Sequence, residues 1–327
     1  MSTRPKVFAT RRVPERVRSE LEALFDLTIH DVEAPPSRSE LLAGARGQDG
    51  VVSMLSDAID DKFLDAAGEQ LRAVANHAVG FDNIDVDACS RRGVIVANTP
   101  DVLTAATAEL AMTLMLDVTR RVSEGDRRLR AQTPWIWAPT FMLGRTLRGR
   151  LLGIIGLGRI GSELARMAEA LGMRVAYTRQ SGPAGNVPWE FLSFDELVTR
   201  ADVISIHCPL TPESRHLINA AVLHGMKRSA YLVNTARGPV IDEAALAEAL
   251  EAGEIAGAAL DVFEREPEVH ERLLQCENVV LAPHLGSATH ETREAMGMLC
   301  ASALNAVLLE DRVPDNALNP SPTMIRA

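Results

Sequence analysis

Leu151-Leu152-Gly153-Ile154-Ile155-Gly156-Leu157-Gly158-Arg159-Ile160-Gly161 runs from an apolar stretch straight into glycines spaced Gly-x-Gly-x-x-Gly. The apolar half reads as a buried strand, and Ser162 to Leu171 carries the spacing of a following helix. Strand, glycine turn and helix in that order form a dinucleotide fingerprint. Gly156 allows the tight turn, Gly158 lets a pyrophosphate approach the backbone, and Gly161 lets helix and strand pack closely. The hexapeptide alone would fit a structural glycine turn equally well; its placement selects the ligand reading.

Toward the C-terminus the alternation continues, with strands predicted at Arg174 to Tyr177, Val203 to His207, Ala230 to Val233, Gly257 to Leu260 and Val279 to Leu281. That suffices for a doubly wound parallel sheet. Toward the N-terminus a separate series appears: strands at Val7 to Thr10, Leu27 to His30, Gly50 to Met54, Leu71 to Ala75 and Val94 to Ala97, with helices at Pro14 to Phe25 and Ser39 to Ala45. The rhythm breaks at Asn98-Thr99-Pro100, before a long helical pattern from Leu103 to about Arg120, which marks a domain crossing. A last helical pattern from Thr289 to about Leu309 leads into the Pro-rich tail Pro314 to Pro322, which has no strand partner of its own and is assigned back to the first domain. The expected fold is therefore α/β with two doubly wound parallel-sheet domains. Residues 100–287 form a Rossmann nucleotide-binding domain, and residues 1–99 with 288–327 form a discontinuous, flavodoxin-like substrate domain.

With 327 residues and 46% hydrophobic content, the chain is long and apolar enough for two cores. A formal charge of -10 argues against a nucleic-acid surface. The Arg-rich stretch from Arg120 to Arg130 is interrupted by Glu124 and Asp126 and reads as a solvated helix face or linker. Four cysteines without a Cys-x-x-Cys pairing suggest neither zinc nor disulfides, so no metal is expected and a reducing, cytoplasmic setting fits. The first residues lack an apolar signal core, and no apolar run approaches a membrane span. No repeat at solenoid spacing and no low-complexity tract is present, and Gly182 to Pro188 reads as a loop.

Three residues in the last third carry chemistry suited to reducing a carbonyl. Arg237, directly after a strand, can grip a carboxylate and polarise the adjacent carbonyl; its bland alternative is a salt bridge. His284 lies past another strand end, followed by the small residues Gly286, Ser287 and Ala288. A lone histidine is more often packed or exposed than catalytic, but a carboxylate partner at Glu266 favours the imidazolium and lets the ring donate a proton. Asp261 either orients the carboxamide of a nicotinamide or merely caps a turn. Where an NAD site carries an acid for the ribose hydroxyl, this chain reads Tyr177-Thr178-Arg179-Gln180. Arg179 beside Thr178 can accept a 2'-phosphate, so NADP(H) is preferred and NAD(H) remains possible. In the first domain, His77 to Asn83 offers Gly-flanked backbone amides for an anion, with a plain turn as the alternative, and Leu55 can wall a small pocket. Trp135 and Trp137 read as packing or interface anchors, one of which could close the pocket.

Five signatures in order resemble the D-2-hydroxyacid dehydrogenase family over nearly the whole chain: Val79 to Asp85, Gly156 to Gly161, Asn234 to Gly238, Asp261 to Pro267 and Pro283 to Thr289. Ser53 to Ser56, Asn98 to Thr104 and Gly286 to His290 look most like its glyoxylate and hydroxypyruvate reductases. The resemblance implies that Arg237 anchors the substrate, His284 is the acid/base and Glu266 orients and tunes it. It further implies that Val79 and Gly80 present amides to the substrate carboxylate and that Asp261 holds the carboxamide. Cofactor contacts implied are Thr104, Gly156, Gly158, Arg159, Ile160, Gly161, Thr178, Arg179, Cys208, Pro209, Thr235, Ala236, Arg237, His284 and Gly286. His77 departs from the aromatic residue that close relatives often carry, and Glu266 argues against a formate dehydrogenase. The implied reaction is reduction of glyoxylate or hydroxypyruvate by a homodimer, with no nucleic-acid or membrane partner. The alternatives are a dehydrogenase for another 2-hydroxy acid, such as 3-phosphoglycerate, and a non-catalytic dinucleotide-sensing scaffold like the C-terminal binding protein corepressors.

Overall fold

A computed structural model describes residues 4–319. The chain begins β1 (Lys6–Ala9), α1 (Glu15–Leu24), β2 (Asp26–Ile29), α2 (Arg38–Ala45), β3 (Gly50–Ser53), α3 (Asp61–Ala67), β4 (Ala73–Asn76), α4 (Val86–Arg91) and β5 (Ile95–Ala97). It continues through α5 (Thr104–Arg120), α6 (Val122–Arg130), β6 (Leu151–Ile155), α7 (Arg159–Ala170), β7 (Arg174–Thr178), β8 (Glu190–Phe191), α8 (Phe194–Arg200) and β9 (Val203–Ile206). Then follow α9 (Ala220–Gly225), β10 (Tyr231–Asn234), α10 (Glu243–Glu251), β11 (Gly257–Leu260), α11 (Glu271–Gln275), β12 (Val279–Leu281) and α12 (His290–Leu308).

Two compact units result: residues through Leu103 together with those from Thr289 onward, and Thr104–Ala288. The division falls a few residues later than the break at Asn98-Thr99-Pro100 suggests. Backbone bonds from Asn98 to Asn316 and from Thr99 to Ala78 keep that stretch with the first unit.

The first unit's sheet is parallel, in the order β2-β1-β3-β4-β5, the flavodoxin-like arrangement. Strands β3, β4 and β5 and the Val7–Ala9 stretch of β1 are buried on both faces, so successive residues serve opposite cores, while the edge strand β2 keeps Asp26 and Thr28 exposed. Val7, Ala9 and Val52 pack with Val17, Leu21 and Leu304 on one side. Phe8 and Val51 pack with Leu41 and Phe63 on the other. Each fully buried aliphatic side chain contributes about 1.5–3 kcal/mol. The tail does find a strand partner: Ala317 forms an antiparallel bridge to Ala97, and Leu318 donates to the Val96 carbonyl. Asn319 completes this, its side chain accepting from Val96 N and donating to Val94 O. Pro320 to Pro322 lie outside the described residues.

The second unit's parallel sheet runs β12-β11-β10-β9-β6-β7-β8, with the order reversing at β6, the strand that leads into the glycine fingerprint. Leu152 and Ile154 face the core shared with Leu114, Met115 and Leu164 of α5 and α7. Leu151 and Ile155 face the opposite core, with Leu197 and Leu246. Among the described residues no helix is long and apolar enough to cross a membrane.

Candidate active site

Gly156 has φ +94°, and a Cβ there would stand 2.6 Å from Cys208 N; at Gly161 it would stand 2.7 Å from Gly156 O. Both close approaches demand glycine. Over Gly158, by contrast, a Cβ would meet nothing within 4 Å. Gly158 is also the N-cap of α7, so Arg159, Ile160 and Gly161 form that helix's first turn, three residues earlier than the sequence suggested. Bare backbone at a helix N-terminus suits a pyrophosphate. The buried Thr235 hydroxyl has no partner among the described residues, which leaves a donor on the same sheet edge for a polar ligand. The residues present thus fit a dinucleotide.

At the end of β7, Thr178 is buried and Arg179 folds onto its own loop, Nε donating to Gly182 O (2.6 Å) and Nη2 to Pro183 O (3.0 Å). The buried Tyr177 hydroxyl accepts from Ala184 N, so the loop is fastened at two places. Cys208 follows β9; burial pushes its thiol up to about 11, which leaves it inert at neutral pH.

Three strand ends deliver the chemical groups. After β10, the buried Asn234 folds the Thr235–Arg237 turn, accepting from Ala236 N (3.0 Å) and donating to Arg237 O (2.9 Å). Arg237 Nη1 in turn donates to Ala236 O at 2.7 Å. The next residue, Gly238, lies against the segment after β11: a Cβ there would fall 1.9 Å from the Phe263 carbonyl carbon. This contact sets the Arg237 turn beside the loop carrying Glu266. That loop is held in its own right: Glu264 N donates to Glu243 Oε1 (2.7 Å), and the Glu264 carboxylate meets His216 Nε2. Neither Asn234 nor Gly238 was marked by the sequence as shaping the site, although both stand in the Asn-Thr-Ala-Arg-Gly run.

Glu266 Oε1 accepts from Phe263 N at 3.0 Å, and Oε2 meets His284 Nδ1 at 2.7 Å. Burial pushes the Glu266 carboxyl up, but the hydrogen bond and charge of His284, the Phe263 amide and the Arg237 charge outweigh it and hold it below its ordinary value. It is therefore a carboxylate at neutral pH. His284 occupies the left-handed region at φ +54°, a conformation a non-glycine residue keeps only when its surroundings impose it. Asp261 imposes it. Its main-chain oxygen accepts from His284 N (2.9 Å), and its side-chain oxygens accept from Leu285 N (2.6 Å) and Gly286 N (2.8 Å). Burial raises the Asp261 pKa against those amides. The turn-capping alternative for Asp261 is thus realised in the loop that presents His284. The opposite end of that loop is tied by Thr107 Oγ1 donating to Gly286 O at 3.0 Å.

In the first unit, Leu55 lies just past β3, and Val79 and Gly80 just past β4, all partly accessible. His77 is buried, its Nε2 against Arg293 O at 3.1 Å. Trp135, Ile136 and Trp137 are 57%, 81% and 77% exposed, and Trp135 stacks on Phe141 with ring centroids 6.3 Å apart. No group of three metal-ligating side chains occurs among the described residues.

The profile of the D-isomer specific 2-hydroxyacid dehydrogenase NAD-binding domain matches residues 112–286. A glyoxylate reductase of Korarchaeum cryptofilum is 44% identical over 329 residues, covering 99% of this chain and 98% of that protein. A solved structure of a Thermus thermophilus protein superposes with a TM-score of 0.90 at 40% identity, covering 96% of this chain and 99% of the other. The NADPH-dependent glyoxylate/hydroxypyruvate reductase of Sinorhizobium meliloti, in complex with NADP and malonate, gives 0.88 at 34% identity over 99% and 100%.

Proposed function

The chain belongs to the D-isomer specific 2-hydroxyacid dehydrogenase family, and on that premise we propose that it reduces a small 2-oxo acid, glyoxylate or hydroxypyruvate, to glycolate or D-glycerate. The observation that carries this reading is the 2.7 Å contact between His284 Nδ1 and Glu266, on the same sheet edge as Arg237. With Nδ1 committed to the carboxylate, Nε2 is the ring atom that meets the substrate. It donates a proton to the oxygen of the carbonyl being reduced, and Glu266 balances the charge of the imidazolium that gives it. Arg237 grips the substrate carboxylate and polarises the carbonyl. Within the first unit, Val79 and Gly80 offer backbone amides suited to a carboxylate, and Leu55 walls the pocket beside them. Asp261 acts through the loop it fastens, with a remaining lone pair for a carboxamide.

The nicotinamide dinucleotide supplies the hydride when bound. Gly156, Gly158, Arg159, Ile160 and Gly161 receive its pyrophosphate. Thr104, Cys208, Pro209, Thr235, Ala236 and Gly286 line its remaining length. NADP(H) is the preferred form: no acid stands at the end of β7 to bind a ribose 2'-hydroxyl, and Arg179 is held there on a fastened loop. NAD(H) remains usable. The exposed apolar side chains of Trp135, Ile136 and Trp137 form a surface that a second copy of the chain would cover, in keeping with a homodimer. Free cysteines suit a cytoplasmic setting.

The test is oxidation of NADPH and NADH against a panel of 2-oxo acids. Turnover with glyoxylate and hydroxypyruvate is expected. Turnover confined to phosphorylated acids would point to a 3-phosphoglycerate-type enzyme, and dinucleotide binding without any turnover to a sensing scaffold.

A further inference from the structure

We infer that a buried polar lattice in the first unit, built from Thr10, Asp57, Asn76, Asn83 and Asn98, positions the loops of Leu55 and of Val79–Gly80 relative to each other and so sets substrate affinity and selectivity. The inference rests on the substrate role proposed for those two loops. Asp57 is 2% exposed, and a carboxylate so buried persists only when its oxygens are met by donors. They are met by Thr10 Oγ1 from the end of β1, by Met54 N at 2.7 Å and by Arg11 Nη2 at 3.3 Å. The turn that carries Leu55 is thereby anchored to the neighbouring strand.

From the other loop, Asn83 Nδ2 donates to both Met54 O and Asp57 O at 3.0 Å, the two carbonyls that bracket Leu55. Asn76, fully buried at the end of β4, donates to Gly80 O at 2.9 Å, accepts from Ser53 Oγ at 3.0 Å and meets the Asn83 amide. Asn98 Nδ2 donates to Val79 O at 2.7 Å. A peptide group is planar, so fixing the Val79 carbonyl fixes the opposite direction of the Gly80 N–H, the group assigned to the substrate carboxylate. Five side chains therefore determine where Leu55 stands and where the Gly80 amide points. None of these bonds belongs to the β ladder, so their loss leaves the sheet's own bonding intact.

Thr10→Val removes the hydroxyl while keeping the shape, and Thr10→Ser keeps the hydroxyl; Asn83→Ala releases the Leu55 turn from the other side. The readouts are KM and kcat for glyoxylate, the kcat/KM ratio of glyoxylate to the bulkier phenylpyruvate, the NADPH dissociation constant and the melting temperature. Thr10→Val and Asn83→Ala are expected to raise the glyoxylate KM about 5- to 20-fold, the effect of one or two lost hydrogen bonds. They should also reduce the preference for the smaller acid, with kcat and NADPH affinity changed less than about threefold. Thr10→Ser should restore wild-type behaviour. An unmoved KM and ratio in folded Thr10→Val would overturn the inference, as would losses that Thr10→Ser fails to restore; should Asn83→Ala not fold, the Thr10 pair decides. Wild-type turnover separates the two claims: its absence defeats the functional reading and this inference together, whereas its presence with an unmoved Thr10→Val defeats this inference alone.

Discussion

His77 gives the first unit a pH-dependent stability whose size follows from its burial. Burial pushes the ring from its ordinary 6.5 down to about 4, only partly opposed by the Arg293 carbonyl it contacts. The folded state thus holds His77 neutral at pH 5, while the unfolded chain protonates it there. Because the folded value is the lower one, the unfolded state binds more protons between the two values. The contribution is therefore complete above 6.5 and is lost as pH falls toward 4. Integrated over that window, the loss is roughly 2 kcal/mol between pH 7 and pH 5 and about 3 kcal/mol in full. His77→Gln keeps a neutral donor for the Arg293 carbonyl and cannot titrate. Denaturant titration at pH 7 and pH 5 should show wild type losing about 2 kcal/mol more than His77→Gln in the transition that reports the first unit. Comparing the two proteins cancels all other titrating groups. A difference below about 0.5 kcal/mol would refute the assignment of His77 as a buried neutral ring.

Two further outcomes follow from the second unit. Glu266→Gln replaces a charge-assisted hydrogen bond, at a site about one-third exposed, by a neutral one; kcat should fall roughly 5- to 30-fold with NADPH affinity retained, as read by steady-state kinetics and a fluorescence titration. Arg179→Ala should weaken NADPH at least about tenfold in KM while leaving NADH within about threefold, and equal effects on both would remove Arg179 from the 2'-phosphate site.

Most of the fold was legible because most of its strands are buried on both faces and so read as unbroken apolar runs: Gly257–Leu260 and Val279–Leu281 lie where predicted. The short helices were harder. Residues 61–67 and 86–91 span barely two turns each, too few for helical spacing to stand out, although Asp60 and Asp85 cap them as side-chain acceptors. The two-residue strand Glu190–Phe191 carries no periodic signal at all. At the candidate site, chemistry-bearing residues were visible by type and by their place after a strand. What holds them was not. The Glu243–Glu264–His216 clamp and the Asn83 bonds to the Met54 and Asp57 carbonyls join residues distant in sequence, and the turn cap visible at Asp261 did not show that the capped turn is the one presenting His284. Each partner alone looks like an ordinary surface polar residue. The tail's bridge to Ala97 escaped notice for the same reason, since Ala317 pairs with a strand some 220 residues earlier.

The central claim is that His284 delivers the proton to a 2-oxo acid, and the most direct measurement is the kcat of His284→Gln with glyoxylate and NADPH, alongside its NADPH dissociation constant. General acid catalysis is worth about 10²- to 10⁴-fold, so kcat should fall by at least a hundredfold while NADPH binding stays within about threefold of wild type. A kcat within tenfold of wild type would contradict the account.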